Sequence, residues 1–140
     1  MTTVIQADGR AKAYRPLPDA ERAAALRAGL GAYGRGDFFL AHELLEPAWM
    51  GTPDPGERAM LQGLIKLAAA DVHGVRGNPR GVVRNLEGAL DRLRLAEDAG
   101  AVAPGGVPLD LGGLIASVEA RLDHARRGDP TAPLSLPGDR

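Results

Sequence analysis

The segment RGDFFLAHELLEPAW, Arg35–Trp49, decides the fold, because it recurs in weaker form as RGNPRGVVRNLEGAL, Arg76–Leu90. Both copies begin with Arg-Gly, continue with Asp or Asn, and share Leu-Glu and Ala at matching positions. In each copy the glycine is typical of a helix end, and the Asp or Asn is typical of the N-cap of the next helix. Two tight corners of this kind predict two antiparallel helical hairpins.

Helix caps elsewhere in the chain extend this pattern. Asp54 followed by Pro55 predicts a helix start, with Glu57 completing a capping box, and Asp19 and Asp110 are further candidate caps. Apolar residues recur at helical spacing, and alternating strand patterns are absent. We therefore predict an all-α fold, a single bundle of about five helices built from two antiparallel helical hairpins plus a C-terminal helix. The predicted helices cover residues 19–34, 37–50, 55–75, 78–98 and 110–127.

The 140 residues of the chain are enough for one domain with its own core. We expect residues 1–16 to be a flexible N-terminal segment, residues 17–128 a single helical domain, and residues 129–140 a flexible tail. No apolar run reaches the length of a membrane span, and the N-terminus lacks the apolar stretch of a signal peptide. We therefore expect a cytoplasmic protein without membrane contact. The lack of cysteine excludes disulfides and thiolate metal sites.

The motif HELLE, His42–Glu46, begins like the zinc-protease helix His-Glu-x-x-His, but Glu46 stands in place of the second histidine. His42 and Glu46 are one helical turn apart, and a carboxylate can replace an imidazole as a ligand of zinc or manganese. Glu43 is expected to point toward solvent. The sequence favours a plainer interpretation, in which His42 is a core histidine hydrogen-bonded to a neighbour such as Glu46.

The third predicted helix carries a polar stripe of Gln62, Lys66 and His73 on an otherwise apolar segment. If this stripe faces His42 and Glu46, the two helices enclose a polar pocket; if it faces outward, it is a solvated face. Asp71 falls among the apolar positions of the same helix and therefore needs a buried partner.

Our leading hypothesis is a non-enzymatic binding or scaffold protein with a polar groove between the second and third helices. The groove residues are Trp49, His42, Glu46, Gln62, Lys66 and His73, with Asn78 at the neighbouring corner. Leucine-rich faces of helical hairpins often pair, which also favours a homodimer.

The rival hypothesis is a metal-dependent, hydrolase-like enzyme. A divalent metal ion would be held by His42, Glu46 and His73, and Glu43 or Asp71 would act as the base.

A third hypothesis, nucleic-acid binding through Arg76, Arg80 and Arg84, is the weakest. The formal net charge is -1 and only 4% of residues are aromatic, so neither overall charge nor base stacking favours such a partner. No recognition motif is present.

Three ordered blocks, FFLAHELLEPAW, LQGLIKLAAADVH and GNPRG, resemble the bacterial and archaeal domain-of-unknown-function family 309 over roughly Gly36 to Leu93. The resemblance implies a small all-helical bundle and brings no established activity. Lys66 stands where such sequences often carry glutamine, and Val82 where they favour alanine. On this chain the family pattern picks out Phe38, His42, Glu43, Glu46, Trp49, Gly63, His73, Gly77, Asn78 and Gly81.

Overall fold

The computed structural model describes residues 2–5, 11–14, 16–129, 132–134 and 136. It confirms the all-α prediction, with five helices packed in sequence-adjacent pairs around one core. The helices are α1, Asp19–Gly34; α2, Phe38–Gly51; α3, Pro55–Val75; α4, Pro79–Asp98; and α5, Leu111–Arg126. Among the described residues, no helix is both long and apolar enough to cross a membrane.

The corner between α1 and α2 is built by Gly36 and Asp37, as the repeat predicts. Gly36 has a φ of 82°, a left-handed conformation that glycine adopts without the steric cost of a Cβ atom. The N–H of Asp37 donates to the carbonyl of Ala32 at 2.9 Å, and Asp37 Oδ1 accepts from the N–H of Leu40 at 3.3 Å. One residue therefore closes α1 through its backbone and caps α2 through its side chain.

The corner between α3 and α4 has the same geometry. Gly77 has a φ of 71°, and the N–H of Asn78 donates to the carbonyl of His73 at 2.9 Å. Asn78 Oδ1 accepts from the N–H of Gly81 at 3.2 Å. The sequence repeat is thus a repeat of backbone hydrogen bonds at two helical corners.

Asp54 caps α3 as predicted, but the capping box is only half formed. Asp54 Oδ2 accepts from the N–H of Glu57 at 2.7 Å. The carboxylate of Glu57, 6% exposed, instead accepts from Nε of Arg22 at 2.7 Å. A buried carboxylate is far more stable beside a guanidinium than unpaired, so Glu57 joins α3 to α1.

The predicted cap of α1 is wrong, whereas that of α5 is confirmed. Pro18 occupies the N-cap position of α1, and Oδ1 of Asp19 accepts from the N–H of Gly105 at 3.1 Å. Asp19 therefore holds the α4–α5 connection against α1, while Asp110 Oδ1 caps α5 by accepting from the N–H of Gly113 at 3.0 Å.

Helix α3 forms the centre of the bundle and packs closely on α4. A Cβ atom at Gly63 would lie 2.8 Å from Leu93 Cδ2, so any larger residue would force Leu93 to shift. Leu61, Leu67 and Leu93 are fully buried. Each contributes on the order of 1.5–3 kcal/mol relative to an exposed side chain, which makes the α3–α4 contact a major part of the core.

Outside the helices, β1, Thr2–Ile5, pairs antiparallel with β2, Ala11–Tyr14. This hairpin lies in the N-terminal segment. In the C-terminal segment, Leu136 is 8% exposed and belongs to the core cluster. The flexibility expected for residues 1–16 and 129–140, and the domain limits 17–128, stay predictions.

Candidate functional site

Three side chains of metal-binding types converge on α2: His42, Glu43 and Glu46. One ligand atom from each lies within 4.8 Å of the other two. His42 Nδ1 is 3.3 Å from Glu43 Oε1, and the side chains of His42 and Glu43 are 33% and 53% exposed. The cluster therefore lies at the surface, where a solute has access.

The helix itself brings the three side chains together. His42 and Glu46 are four residues apart, and Glu43 and Glu46 are three apart, which are the two spacings that make helix neighbours. Glu43 is exposed, as its position on the predicted helix indicates. Its carboxylate nevertheless turns back to His42, because a glutamate side chain is long enough to reach the preceding residue.

The spacing of this cluster suits one metal ion. Bonds of about 2.0–2.2 Å from zinc to nitrogen or oxygen place two ligands at most about 4.4 Å apart. Small side-chain rotations would bring atoms spaced within 4.8 Å to that distance. One imidazole and two carboxylates are a ligand set for zinc or manganese, and the two negative charges balance a divalent cation.

His73, the third ligand of the enzyme hypothesis, lies at the α3–α4 corner and is not part of this cluster. Its Nδ1 is 3.1 Å from Nδ2 of Asn78. Asn78 Oδ1 accepts from Gly81 N–H, so Nδ2 is the donating end and His73 Nδ1 the acceptor. In this arrangement the Nδ1 lone pair of His73 is engaged by the amide of Asn78.

Asp71, one candidate base, has the buried partner that its position requires. Asp71 is 3% exposed and Arg121 6% exposed. Arg121 donates to both carboxylate oxygens, with Nη1 3.1 Å from Oδ2, and the hydroxyl of Tyr33 donates to Oδ2. The carboxylate is thus held on both oxygens by α1 and α5, which is the arrangement of a structural ion pair.

Tyr33 extends this network to the C-terminal segment. The N–H of Leu134 donates to the Tyr33 hydroxyl oxygen at 3.1 Å. Burial, reinforced by the neighbouring Asp71 carboxylate, raises the pKa of Tyr33 far above its ordinary value of 10.0. The phenol therefore stays protonated and acts as a donor to Asp71.

Arg121 and Tyr33 were not predicted from the sequence as partners of Asp71. A signal existed, because Arg121 lies three positions after Val118 and seven after Leu114, on the buried face of α5. A charged residue on an apolar face requires a buried partner, but the periodicity of α5 alone does not identify which helix supplies it.

Two of the predicted groove residues on α3, Lys66 and His73, contact α4. The stem of Lys66 crosses Gly88, where a Cβ atom would be 2.8 Å from Lys66 Cδ. Trp49 on α2 is partly buried, and its Nε1 has no hydrogen-bond partner among the described residues. A groove that joins Trp49 to Gln62, Lys66 and Asn78 stays a prediction.

Two cavities lie away from these residues. One, of about 560 Å³, lies between the start of α5 and the C-terminal segment and is lined by Leu109, Leu114 and Leu134 among others. The second, of about 340 Å³, is a groove between α4 and α5.

Comparison with known proteins gives a family and no activity. Residues 26–85 match the model of the family described as Domain of unknown function (DUF309), so this part of the chain is a DUF309 domain, and the resemblance noted in the sequence is confirmed. The matched range contains the α2 cluster, Asp71 and the α3–α4 corner. No curated protein and no solved structure matches the chain.

Proposed function

We propose that the DUF309 domain of this chain binds a divalent transition-metal ion through His42, Glu43 and Glu46. The observation that carries the proposal is the convergence of their three ligand atoms within 4.8 Å on one exposed face of α2. In the described part of the chain, no arginine or lysine forms a salt bridge with Glu43 or Glu46. Their charge is therefore free to stabilise a cation.

The coordination that α2 supplies is incomplete, and this supports binding of a further ligand at the metal. Zinc takes four ligands and manganese takes more, so three side chains leave at least one position for water or a solute. The binding hypothesis drawn from the sequence then has a defined ligand, a metal ion bound on α2.

The residues around the cluster favour binding over hydrolysis. A metal-dependent hydrolase needs a base near the metal-bound water. In our proposal Glu43 is a metal ligand, and the contacts of Asp71 with Arg121 and Tyr33 occupy both of its oxygens. Neither candidate base is then available.

Thermal unfolding with added metal tests the proposal. The protein is unfolded in chelator and then with zinc, manganese or nickel in separate samples. A metal that binds only the folded state at a hundredfold excess over its dissociation constant adds about 2.7 kcal/mol, or about 5–10 °C in Tm. We expect this rise in the wild type and its loss in His42→Ala.

The other two histidines of the chain are matched controls. His124→Ala removes an exposed histidine of α5 and should keep the full metal-induced rise. His73→Ala tests the ligand of the enzyme hypothesis and should also keep it. A rise that survives in His42→Ala, or that disappears equally in all three variants, contradicts the proposed site.

A further inference from the structure

A second surface of the molecule, between α3 and α4, is lined by hydrogen-bond donors. Most of α3 is buried, and Gln62, Lys66, Ala69 and His73 form a half-exposed stripe along it. These positions are separated by three or four residues and so lie on one face. The stripe extends for about 16 Å at 1.5 Å per residue.

The facing stripe of α4 follows from two close contacts. A Cβ atom at Gly88 would meet the stem of Lys66, and one at Gly81 would lie 2.4 Å from the ring of His73. In this antiparallel register, Asn85 lies opposite Ala69 and Arg92 lies opposite Gln62. Asn85 and Arg92 are half-exposed, as are the α3 residues. We call the two stripes together the α3–α4 furrow. It comprises residues 62, 66, 69 and 73 of α3 and residues 81, 85, 88 and 92 of α4.

The furrow has a cationic lining. Gly81 and Gly88 have no side chain, so the His73 ring and the Lys66 stem lie directly on the backbone of α4. Lys66 and Arg92 line the furrow, and Arg84 is exposed at its rim, three and four positions from the two glycines. No Asp or Glu occurs at the eight furrow positions.

The opposite flank of α4 is different. There Arg94 and Arg126 form salt bridges with Glu119 and Glu87, at 3.0 and 2.8 Å, in a groove that also contains Asp91 and Asp123. On the furrow side, the described salt bridges include none with Lys66, Arg84 or Arg92. Positive charge is therefore unbalanced on the furrow side, whereas on the other flank four carboxylates surround two arginines.

We propose that the α3–α4 furrow binds the phosphate backbone of double-stranded nucleic acid. Arginine and lysine nitrogens pair with phosphate oxygens, and the Nε2–H of His73 and the amide of Gln62 add neutral donors. A lining of donors without apolar pockets suits a backbone better than a peptide, whose side chains need pockets.

The furrow favours a duplex over a single strand. Single strands are held largely by stacking of bases on aromatic rings, and no aromatic residue other than His73 lies on either stripe. The overall charge of -1 gives no long-range attraction, so affinity depends on the local cations. Lys66, Arg84 and Arg92, with Arg76 at the end of the stripe, provide three or four phosphate contacts.

Salt-dependent binding of a labelled DNA duplex of about 20 base pairs tests this proposal. Fluorescence anisotropy is measured in chelator, so that failure of the metal proposal on α2 has no bearing on the result. Three or four phosphate contacts predict that the affinity falls about 40- to 150-fold between about 50 and 200 mM salt. Arg84→Gln/Arg92→Gln should lower the slope of log affinity against log salt by about 1.8.

The matched control is Arg94→Gln/Arg126→Gln. It also removes two positive charges, but from the other flank of α4. It should therefore keep the wild-type slope of log affinity against log salt. An equal loss in both variants shows an effect of net charge alone and overturns the furrow assignment. Absence of duplex binding at about 50 mM salt overturns it as well.

Two other anionic partners are included as competing outcomes. Polyglutamate and vesicles of phosphatidylcholine with phosphatidylserine are titrated under the same conditions. Tighter binding of either than of the duplex, with the same dependence on Arg84 and Arg92, replaces nucleic acid with an acidic protein segment or a lipid surface and overturns the proposal. Circular dichroism of each variant shows that the helices are intact.

Discussion

Asp71 and Glu46 are both carboxylates on helices next to apolar stripes, yet their surroundings differ completely. Asp71 is 3% exposed and held by Arg121 and Tyr33 from two other helices. Glu46 is partly exposed and lies beside His42 and Glu43 of its own helix. Burial forces the first carboxylate to be paired within the protein, because an unpaired buried charge is very unfavourable. Exposure leaves the second free to bind something else.

The difference implies that the two clusters contribute to different properties. The buried network joins α1, α3, α5 and the C-terminal segment, so changes there should act on stability. The α2 cluster is partly exposed, and exposed charge pairs contribute little to stability. Changes there should act on metal binding alone.

Arg121→Met should have the largest effect. It leaves the Asp71 carboxylate buried without its cation, and we expect the free energy of unfolding to fall by about 3–5 kcal/mol. Urea unfolding followed by circular dichroism measures it. The double variant Asp71→Leu/Arg121→Met removes both charges and should lose less than the single variant. A loss below about 1 kcal/mol in the single variant contradicts a structural role for the network.

Tyr33→Phe should have the next largest effect. It removes a donor from a buried carboxylate, and about 1–3 kcal/mol of stability should be lost at neutral pH. The same unfolding measurement applies, and an unchanged stability would show that the hydroxyl of Tyr33 is dispensable to Asp71.

The pH dependence of the free energy of unfolding gives a second test of the role of Tyr33. Because the pKa of Tyr33 is raised in the folded state, its contribution is complete below the ordinary pKa and is lost as pH rises above it. Wild-type stability should therefore fall above about pH 10 with a component of up to about 1.4 kcal/mol per pH unit. Tyr33→Phe lacks this component, so the difference between the two proteins should shrink from about pH 9 to about pH 11. A constant difference contradicts the raised pKa.

Asn78→Ala should have an intermediate effect, since Asn78 is exposed but caps α4 through Gly81. Loss of a cap typically lowers stability by about 1 kcal/mol. Asn78→Asp keeps the accepting oxygen and should retain most of it. Thermal unfolding of the two variants compares them, and equal losses would mean that the amide contact with His73, rather than the cap, is what matters.

Glu46→Gln should have the smallest effect on stability, within about 0.5 kcal/mol in chelator, as for most surface changes. Competition with a chromogenic chelator should show that it nevertheless weakens metal binding, because a neutral amide is a poorer ligand than a carboxylate. A large loss of stability with unchanged metal affinity would show that the α2 cluster has a structural role, like that of Asp71, and would contradict the metal site.

Much of the fold was predictable because its signals are local. Asp37, Asp54, Asn78 and Asp110 bind backbone groups only three residues away, so the chain close to each residue is sufficient to predict the cap. The exceptions depend on distant residues. Asp19 contacts Gly105, and the Glu57 carboxylate contacts Arg22.

The candidate site divides in the same way. The approach of His42 and Glu46 follows from helical spacing alone, so the sequence predicts it. The surroundings of Lys66 and His73 do not follow from spacing, because a helix period places residues on a face without identifying the helix opposite. The structure brings both into contact with α4, a contact that spacing along α3 does not identify.

By itself, the sequence determined five helices, two repeated corners and the pair His42 and Glu46. Each of these depends on hydrogen bonds or spacing within about one helical turn, which do not require tertiary packing. Tertiary structure alone decided that Arg121, fifty residues along the chain, neutralises Asp71. It also decided that Lys66 and His73 of α3 contact α4. Both outcomes depend on which apolar helix faces pack against each other and exclude water. That packing is determined by all five helices together.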